Sequence, residues 1–337
     1  MRKISDRFLK DLDTGILSAV TNAVKASNGK LILCFRENYI NVYRKSHSLF
    51  KIEEQRVHKY KVTFNLGHAR YMKTKDQIRA ELQAIWPGIR VSDGKSNNAY
   101  FYISPAHTPP VAHIVDAYSV YIDHFFAAAA LYKSAPLYDY FKGEQATPPK
   151  GLLEKKRQHE IYVDYNTIST GKPLGELVFY DMELSLPREL FDDLPDDDVI
   201  KGSPDCLAAK VENGTITGIV LVEVKSNESA CEGQHGIEKH SRDFRDILCS
   251  DKLKRELYQM MKFVLEVNDQ LGINLNKAKC VCDFNSCQFE ILYLFTDNAI
   301  DWTNDIRKKN KNYMRYQAIC SNAANASLET VEMLEMK

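Results

Sequence analysis

The segment at residues 203–225 constrains the fold of this 337-residue chain more than any other. It contains two runs typical of β-strands, separated by Glu212-Asn213-Gly214, and Asn-Gly between such runs is a strong signal for a β-hairpin. Residues 219–222 (Ile-Val-Leu-Val) are apolar at every position, which is typical of a central strand covered on both faces of a sheet. We therefore expect this hairpin to lie in the middle of a covered sheet.

The length of the hairpin loop decides which side chains share a face. A two-residue Asn213-Gly214 turn would place Asp205 opposite Val222, on the other face from Glu223 and Lys225. A three-residue loop with its glycine in the left-handed bulge position would instead place all three charged residues on one side. We predict the three-residue loop, which makes Asp205 the diagonal neighbour of Glu223 and brings both within reach of one cation.

Ionised groups at the end of such a strand are costly unless they are paired. A divalent cation held by Asp205 and Glu223 would relieve this cost, while Lys225 would compensate the remaining charge and orient or deprotonate a water. Oxygen ligands favour Mg²⁺ or Mn²⁺, and metal-assisted attack of water on a phosphodiester is the corresponding reaction. The alternative is an exposed Glu223–Lys225 ion pair at a strand end, with an ordinary turn at Pro204-Asp205.

Pro204-Asp205 and Glu223-Val224-Lys225 resemble the two halves of the motif that defines the PD-(D/E)XK nuclease superfamily. The core of that family is a helix, three strands, a helix and a further strand, and the resemblance covers roughly residues 151–297. It implies an α/β (α+β) fold with a mixed-sheet nuclease core. The predicted elements follow the family order: a helix at 152–160, a strand at 176–186, the hairpin, a helix at 244–271 and a strand at 289–295.

The resemblance also implies roles for the motif residues. Asp205 and Glu223 would be metal ligands, the carbonyl of Val224 would be a further ligand, and Lys225 would be the catalytic lysine, with Asp205, Glu223 and Lys225 forming the catalytic set. Members of the family often add an acidic residue from the first core helix. Glu154 and Glu160 are both candidates for that position, and neither is assigned.

Basic residues follow directly after the lysine strand, in a region that approaches the phosphate backbone in this superfamily. Lys239, Arg242 and Arg245 are the predicted nucleic-acid contacts, and contacts to phosphates position a duplex without reading its sequence. The alternative is a solvated loop that enters a helix.

The first half of the chain is basic and the second half is acidic. Residues 1–150 carry 22 Lys and Arg against 13 Asp and Glu, and residues 151–337 carry 23 against 32. A basic half fits a polyanionic partner, although two solvated faces that attract each other would give the same charge pattern. We predict an N-terminal α+β domain at 1–145, a proline- and glycine-containing boundary at 134–151, and the nuclease domain at 150–337.

The elements of the predicted N-terminal domain follow from changes of hydrophobic period. They are a helix at 5–26, strands at 31–35, 40–43, 60–64 and 99–104, and helices at 74–86 and 111–133. The role of this domain stays open between recognition of a DNA feature, sensing of a signal and dimerisation.

Other features of the sequence are interpreted conservatively. The eight cysteines and the charged first residues indicate reduced thiols and a cytoplasmic protein, and no apolar run is long enough to span a bilayer. Cys280, Cys282 and Cys287 are expected to be buried thiols beside a hairpin at 283–286, because they form no CxxC pair. The aromatic residues of the first half are expected to lie in a core or an interface, not to stack on bases: Tyr102, Tyr118, Tyr121, Phe125 and Phe126.

These features together predict a Mg²⁺- or Mn²⁺-dependent nuclease that hydrolyses phosphodiester bonds, with DNA as the expected substrate. Restriction or anti-phage defence is the setting suggested by analogy of fold. The partner is expected to be nucleic acid, without a membrane, and the chain is a candidate homodimer or associate of other defence subunits. Two alternatives stay open: a catalytically silent module that binds nucleic acid or a partner protein, and a structural adaptor centred on the N-terminal domain.

Overall fold

The computed structural model of the chain describes residues 4–45, 47–66, 73–92, 98–131, 152–167, 176–184, 203–226, 231, 236–273, 280–296 and 326–330. The predicted boundary at 134–151 lies outside the described residues. The chain divides into two compact units, one of Arg2–Lys156 with Val267–Ile273 and the other of Arg157–Glu266 with Asn274–Lys337. The described part contains seven α-helices and two sheets, which confirms the predicted mixture of α and β structure.

The first unit is built on a six-stranded antiparallel sheet with the strand order β1-β2-β3-β4-β6-β5. Its elements are α1 (Asp6–Asp13), α2 (Ser18–Ala26), β1 (Ile32–Arg36), β2 (Tyr39–Arg44), β3 (His47–Arg56), β4 (Lys59–Asn65), α3 (Lys75–Ile85), β5 (Arg90–Val91), β6 (Asn98–Ile103) and α4 (Val111–Leu131).

One face of this sheet forms the core of the first unit. Strand β4 buries every second residue, as expected for a strand with one covered face. The rings of Phe50, Phe64 and Phe101 meet edge to face on three strands, and Tyr118 of α4 packs with its ring centroid 4.9 Å from that of Phe64. Tyr118 and Tyr121 are therefore core residues as predicted, whereas Tyr102 lies half-buried on the other face of the sheet. The side chains of Phe125 and Phe126 lie outside the described residues.

Two predictions for the first unit were wrong. The single helix predicted at 5–26 is two helices, because α1 ends at Thr14 and the backbone N–H of Gly15 bonds back to the carbonyl of Lys10. A side chain at Gly15 would place its Cβ 2.4 Å from Oδ1 of Asp11, so the close turn requires glycine. Strand β3 was missed because irregular pairing at both of its ends interrupts the alternation on which a prediction depends.

The second unit is built on a sheet with the strand order β12-β11-β9-β8-β7. Strands β7, β8 and β9 are antiparallel, β11 is parallel to β9, and β12 is parallel to β11. The remaining elements of the chain are α5 (Leu152–Thr167), β7 (Glu176–Met182), β8 (Cys206–Glu212), β9 (Thr215–Lys225), α6 (Ile237–Cys249), α7 (Asp251–Gln270), β10 (Cys280–Val281), a 3-10 helix (Phe284–Ser286), β11 (Gln288–Phe295) and β12 (Ala326–Thr330).

Two further predictions are corrected in this unit. The single helix predicted at 244–271 is divided between α6 and α7, because Ser250 has an extended backbone. The hairpin predicted at 283–286 is absent from the described residues: β10 pairs in parallel with the start of β9, and the 3-10 helix leads from it into β11.

The hairpin between β8 and β9 has a two-residue turn, so the three-residue loop predicted from the sequence was wrong. Glu212 pairs with Thr215, and Asn213 and Gly214 have φ angles of 53° and 75°. Asn-Gly suits such a turn because both residues tolerate positive φ, and the resulting twist matches that of the strands. The pairing then slips by one residue, since Val211 pairs with Ile216 and Lys210 with Gly218. Thr217 is therefore the extra residue of a β-bulge.

We expect Gly214→Ala to lower the free energy of unfolding by about 1–2 kcal/mol, because alanine at positive φ brings its Cβ close to the backbone carbonyl. The cost is purely conformational, since a Cβ at Gly214 would meet no atom within 4 Å. Asn213→Gly is the matched control, which keeps the turn without that strain. Urea unfolding of both variants measures the difference, and equal stability of Gly214→Ala and the parent chain would contradict the assigned turn.

Candidate functional site

Two charged side chains are buried at the end of the central strand β9. Glu223 and Lys225 are each 2% exposed, and Nζ of Lys225 lies 2.6 Å from Oε1 of Glu223. Because residues two apart in a strand project from the same face, this pair shares one side of the sheet. Strands β8 and β11 flank β9 on its two sides, so the pair lies in the middle of the sheet.

The bulge at Thr217 brings Asp205 to the same place. Beyond the bulge Cys206 pairs with Val222, so continuing this register by one residue places Asp205 beside Glu223. Oδ2 of Asp205 accepts a hydrogen bond from the backbone N–H of Val224 at 2.7 Å. The structure therefore gathers the three charged residues as the sequence predicted, but by a two-residue turn and a bulge instead of a three-residue loop.

Backbone direction places the carbonyl of Val224 on the same edge as Asp205. The carbonyl of Lys225 accepts a hydrogen bond from the N–H of Thr296 at 2.8 Å, on the side of β11. Since the N–H and C=O of successive strand residues point to opposite sides, the carbonyl of Val224 points toward β8, where Asp205 meets its N–H. Two carboxylates and a carbonyl thus lie at the adjoining ends of β8 and β9, and oxygen donors of this kind suit Mg²⁺ or Mn²⁺.

Helix α6 adds a histidine that the sequence analysis did not single out. Nε2 of His240 lies 3.3 Å from Oε1 of Glu223, and its ring centroid lies 5.6 Å from that of Phe244. Ile237 and Phe244 are fully buried and lie on the same helical stripe as His240. The i, i+3, i+7 spacing of Ile237, His240 and Phe244 was the sign in the sequence that the imidazole faces the sheet.

The same helix is fixed to the sheet next to Glu223. The hydroxyls of Ser241 and Tyr293 lie 2.7 Å apart, and Tyr293 pairs with Glu223 in the register of β11 and β9. The hydroxyl of Tyr293 also donates to the carbonyl of Ile237 at 3.4 Å. These buried polar contacts set the position of α6 and hence that of His240.

A second buried carboxylate lies on the same face of the sheet as Glu223. Asp181 of β7 is 0% exposed, and it pairs with Leu207, which pairs in turn with Leu221. Its Oδ1 accepts a hydrogen bond from the N–H of Met182 at 2.8 Å. The sequence signal for Asp181 was a charge inside an otherwise apolar strand, although Asp181 was not among the predicted site residues.

The three predicted phosphate contacts share the outer side of α6. Successive helical residues are about 100° apart, so Lys239, Arg242 and Arg245 lie opposite the stripe that carries His240. Arg242 and Arg245 are exposed, and Nε of Arg245 lies 3.6 Å from Oδ1 of Asp246. Lys239 is paired with Asp243 at 2.7 Å. Their contact with nucleic acid stays a prediction.

The two acidic candidates from the first core helix have different surroundings. Glu160 is 9% exposed and forms an ion pair with Arg157 at 2.5 Å, while Glu154 is half-buried. Arg157 already neutralises Glu160, so we leave both residues outside the proposed ligand set.

The described residues contain no group of three or more His, Cys, Asp and Glu side chains placed to hold a metal ion. The three cysteines near β10, all within the described part of the chain, therefore form no such group. Cys280 is exposed, with its Sγ 3.1 Å from Oγ1 of Thr215, so the prediction that it is buried was wrong. Cys282 and Cys287 are half-buried.

We expect Cys287 to react with iodoacetamide far more slowly than Cys280 at pH 8. Burial, together with the neighbouring Cys282, raises the pKa of Cys287 to about 12, so its thiol stays protonated and the thiolate that attacks the reagent is scarce. The difference should persist until the pH approaches that value. Peptide mapping by mass spectrometry over time measures both rates, and equal labelling would contradict the assigned environment.

Comparisons with models of protein families, with curated proteins and with solved structures found no match to this chain. Among the helices in the described ranges, none combines the length and the apolar character needed to cross a membrane.

Proposed function

We propose that this chain is a metal-dependent nuclease of the PD-(D/E)XK type. The observation that carries the proposal is the burial of Glu223 and Lys225 at the end of the central strand, with Asp205 at the adjoining end of β8. The order of the elements supports it, since α5, three antiparallel strands, two helices and a parallel strand succeed one another. The family resemblance implies this order with a single helix before the last strand, whereas here that stretch is divided between α6 and α7 and the two-residue strand β10 precedes β11.

Stability alone does not explain the buried charges. Removing an ammonium and a carboxylate from water costs several kcal/mol each, and a buried ion pair often contributes less stability than apolar residues of similar size. An ionised pair at the end of a central strand is therefore better explained by a chemical task.

The proposed chemistry assigns a task to each group. Asp205, Glu223 and the carbonyl of Val224 would hold Mg²⁺ or Mn²⁺, which supplies charge stabilisation and lowers the pKa of a water. Lys225 orients that water and stabilises the charge that develops on the phosphate. The water oxygen gives up a proton to the solvent as it forms a new bond to phosphorus. A P–O bond of the backbone breaks, and the leaving oxygen takes up a proton from the solvent.

His240 has a positioning role in this proposal. Its Nε2 lies against the same carboxylate oxygen that Lys225 contacts, so it limits the orientations that Glu223 adopts. Arg242 and Arg245, exposed on the other side of α6, are the proposed phosphate contacts of a DNA substrate. A role in defence against foreign DNA and assembly into a dimer are proposals that follow from the family resemblance.

Incubation of the purified chain with supercoiled plasmid, linear duplex, single-stranded DNA and RNA tests the proposal. We expect cleavage with Mg²⁺ or Mn²⁺ and none in EDTA. Electron paramagnetic resonance of Mn²⁺ measures binding of the metal and supplies a second readout. Asp205→Asn should weaken that binding. Absence of both cleavage and Mn²⁺ binding would refute the nuclease.

One observation favours a second candidate, a silent module that binds nucleic acid without cutting it. Lys225 is already paired with Glu223 and can balance its charge without a metal. Binding of DNA that is unaffected by EDTA, without cleavage under any of these conditions, would identify this case.

A further inference from the structure

The sheet of the first unit has a second face, which carries tyrosine rings and lysine side chains where the first face carries core residues. On strands β2, β3, β4 and β6, the residues that alternate with the buried ones are half-buried or exposed. Six of them form what we call the tyrosine–lysine face: Tyr39, Lys51, Lys59, Lys61, Tyr100 and Tyr102.

The rings and ammonium groups of β4 and β6 are in direct contact. Nζ of Lys59 lies 4.8 Å from the ring centroid of Tyr102, and Nζ of Lys61 lies 4.8 Å from that of Tyr100. The two tyrosine rings are 5.9 Å apart, nearly perpendicular to each other. The pairing of Lys61 with Tyr102 in the strand register makes this one continuous surface.

The surface extends across β3 to β2 with the same composition. Nζ of Lys51 lies 4.2 Å from the ring centroid of Tyr39, and it also forms an ion pair with Glu53 at 2.6 Å. Arg90, exposed on β5, pairs with Tyr100. Arg56, exposed at the end of β3, pairs with Lys59. On the described strands β2 to β6, Glu53 is thus the single carboxylate on this face, against three lysines and two arginines.

We infer that the tyrosine–lysine face binds single-stranded nucleic acid. Cations beside flat rings suit a strand that presents phosphates and unpaired bases, because every base has a face that stacks on an aromatic ring. The contacts between lysines and rings in the free protein are part-exposed and therefore weak, so a base can replace an ammonium group over a ring while the ammonium moves to a phosphate. The excess of 22 basic over 13 acidic residues in the first 150 favours the same polyanion.

This face is distinct from the site at Glu223, and binding here does not depend on whether that site cuts. A duplex fits it poorly, since its bases are stacked on each other and offer no free face to the tyrosines. An acidic polypeptide would satisfy the lysines but leave the rings unused. The preference for unpaired bases is therefore the property that separates this proposal from attraction of charge alone.

Fluorescence anisotropy of labelled oligothymidine with the full chain in EDTA tests the inference, because EDTA suppresses metal-dependent cleavage. We expect Tyr100→Val with Tyr102→Val to weaken binding by at least about tenfold, given the usual contribution of base stacking. Lys59→Gln with Lys61→Gln should also weaken binding and should reduce the slope of log K against log salt by about 1.4, at roughly 0.7 for each phosphate that is no longer neutralised.

The matched control is Lys10→Gln with Lys25→Gln, which removes the same charge from exposed positions on α1 and α2. Helix α1 packs on the other face of the sheet, where Phe8 meets Tyr60, so this variant should bind as the parent chain does. Unchanged binding by the tyrosine variant, with its fold verified by circular dichroism, would overturn the inference. Equal affinity for a duplex, or equal competition by polyglutamate, would also overturn it.

Oligouridine in the same assay distinguishes the two sources of an unpaired strand. Tighter binding of oligothymidine assigns DNA, tighter binding of oligouridine assigns RNA, and both results support the face. If the site at Glu223 does not cleave DNA, these binding measurements are unaffected, so the two proposals are tested independently.

Discussion

Lys225→Met should reduce metal-dependent cleavage of DNA by about 10²–10⁴-fold, the range that a positioned proton-transfer or charge-stabilising group contributes. The ammonium of Lys225 is 2.6 Å from Glu223 and 2% exposed, so it is held in one position beside that carboxylate. The loss should fall on kcat, because the lysine acts on the water and the developing charge and not on the bound strand. Single-turnover cleavage of a labelled duplex in Mg²⁺ measures it.

Lys210→Met is the control, because Lys210 lies in the same sheet on β8 and is also paired with a carboxylate. Its Nζ is 2.9 Å from Glu290, and this hydrogen bond raises the pKa of Lys210, which keeps the lysine charged. The pair is part-exposed and remote from the end of β9, so cleavage should be unchanged. A Lys225→Met variant that is folded and cuts at the parental rate would refute the assigned site.

The hairpin illustrates how far the sequence could predict this site. Asn213-Gly214 and the apolar run of β9 were sufficient to predict two paired strands with Asp205 and Glu223 at their adjoining ends. The bulge at Thr217 was not predictable, because an extra residue in one strand leaves no mark on the hydrophobic pattern. Turn and bulge each shift the pairing by one residue from the prediction, so together they move Asp205 by two residues, from opposite Leu221 to beside Glu223. A shift of two residues keeps the predicted face, which was therefore reached by a different backbone.

The positions that the prediction missed depend on neighbours that are distant in the sequence. His240 and Asp181 acquire significance only when α6 and β7 are placed against β9. Tyr102 was assigned to a core or an interface because an alternating strand does not reveal which of its faces another element covers. The lysines of β4 that lie beside it across the sheet are some forty residues away in the chain, and only the register joins them.

The second large effect is expected on the free energy of unfolding when one member of the Glu223–Lys225 pair is replaced. We expect Lys225→Met and Glu223→Leu each to lower the free energy of unfolding by about 3–5 kcal/mol, because each leaves one buried charge without its partner. The double variant should lose much less than either single one, and it should approach or exceed the stability of the parent chain. A pair kept for stability would instead leave the double variant clearly less stable than the parent chain.

The free energy of unfolding of the parent chain and the three variants is measured in urea. Hydrogen exchange of peptides from β9 monitors the unfolding of the sheet that holds the pair. Peptides from β4, in the other unit, serve as the internal control and should unfold at the parental urea concentration. A double variant that is as stable as the parent chain but has lost cleavage would show that the two charges are retained at the expense of stability. If instead the double variant is as unstable as either single variant, the pair stabilises the fold by itself, and the burial of Glu223 and Lys225 no longer argues for catalysis.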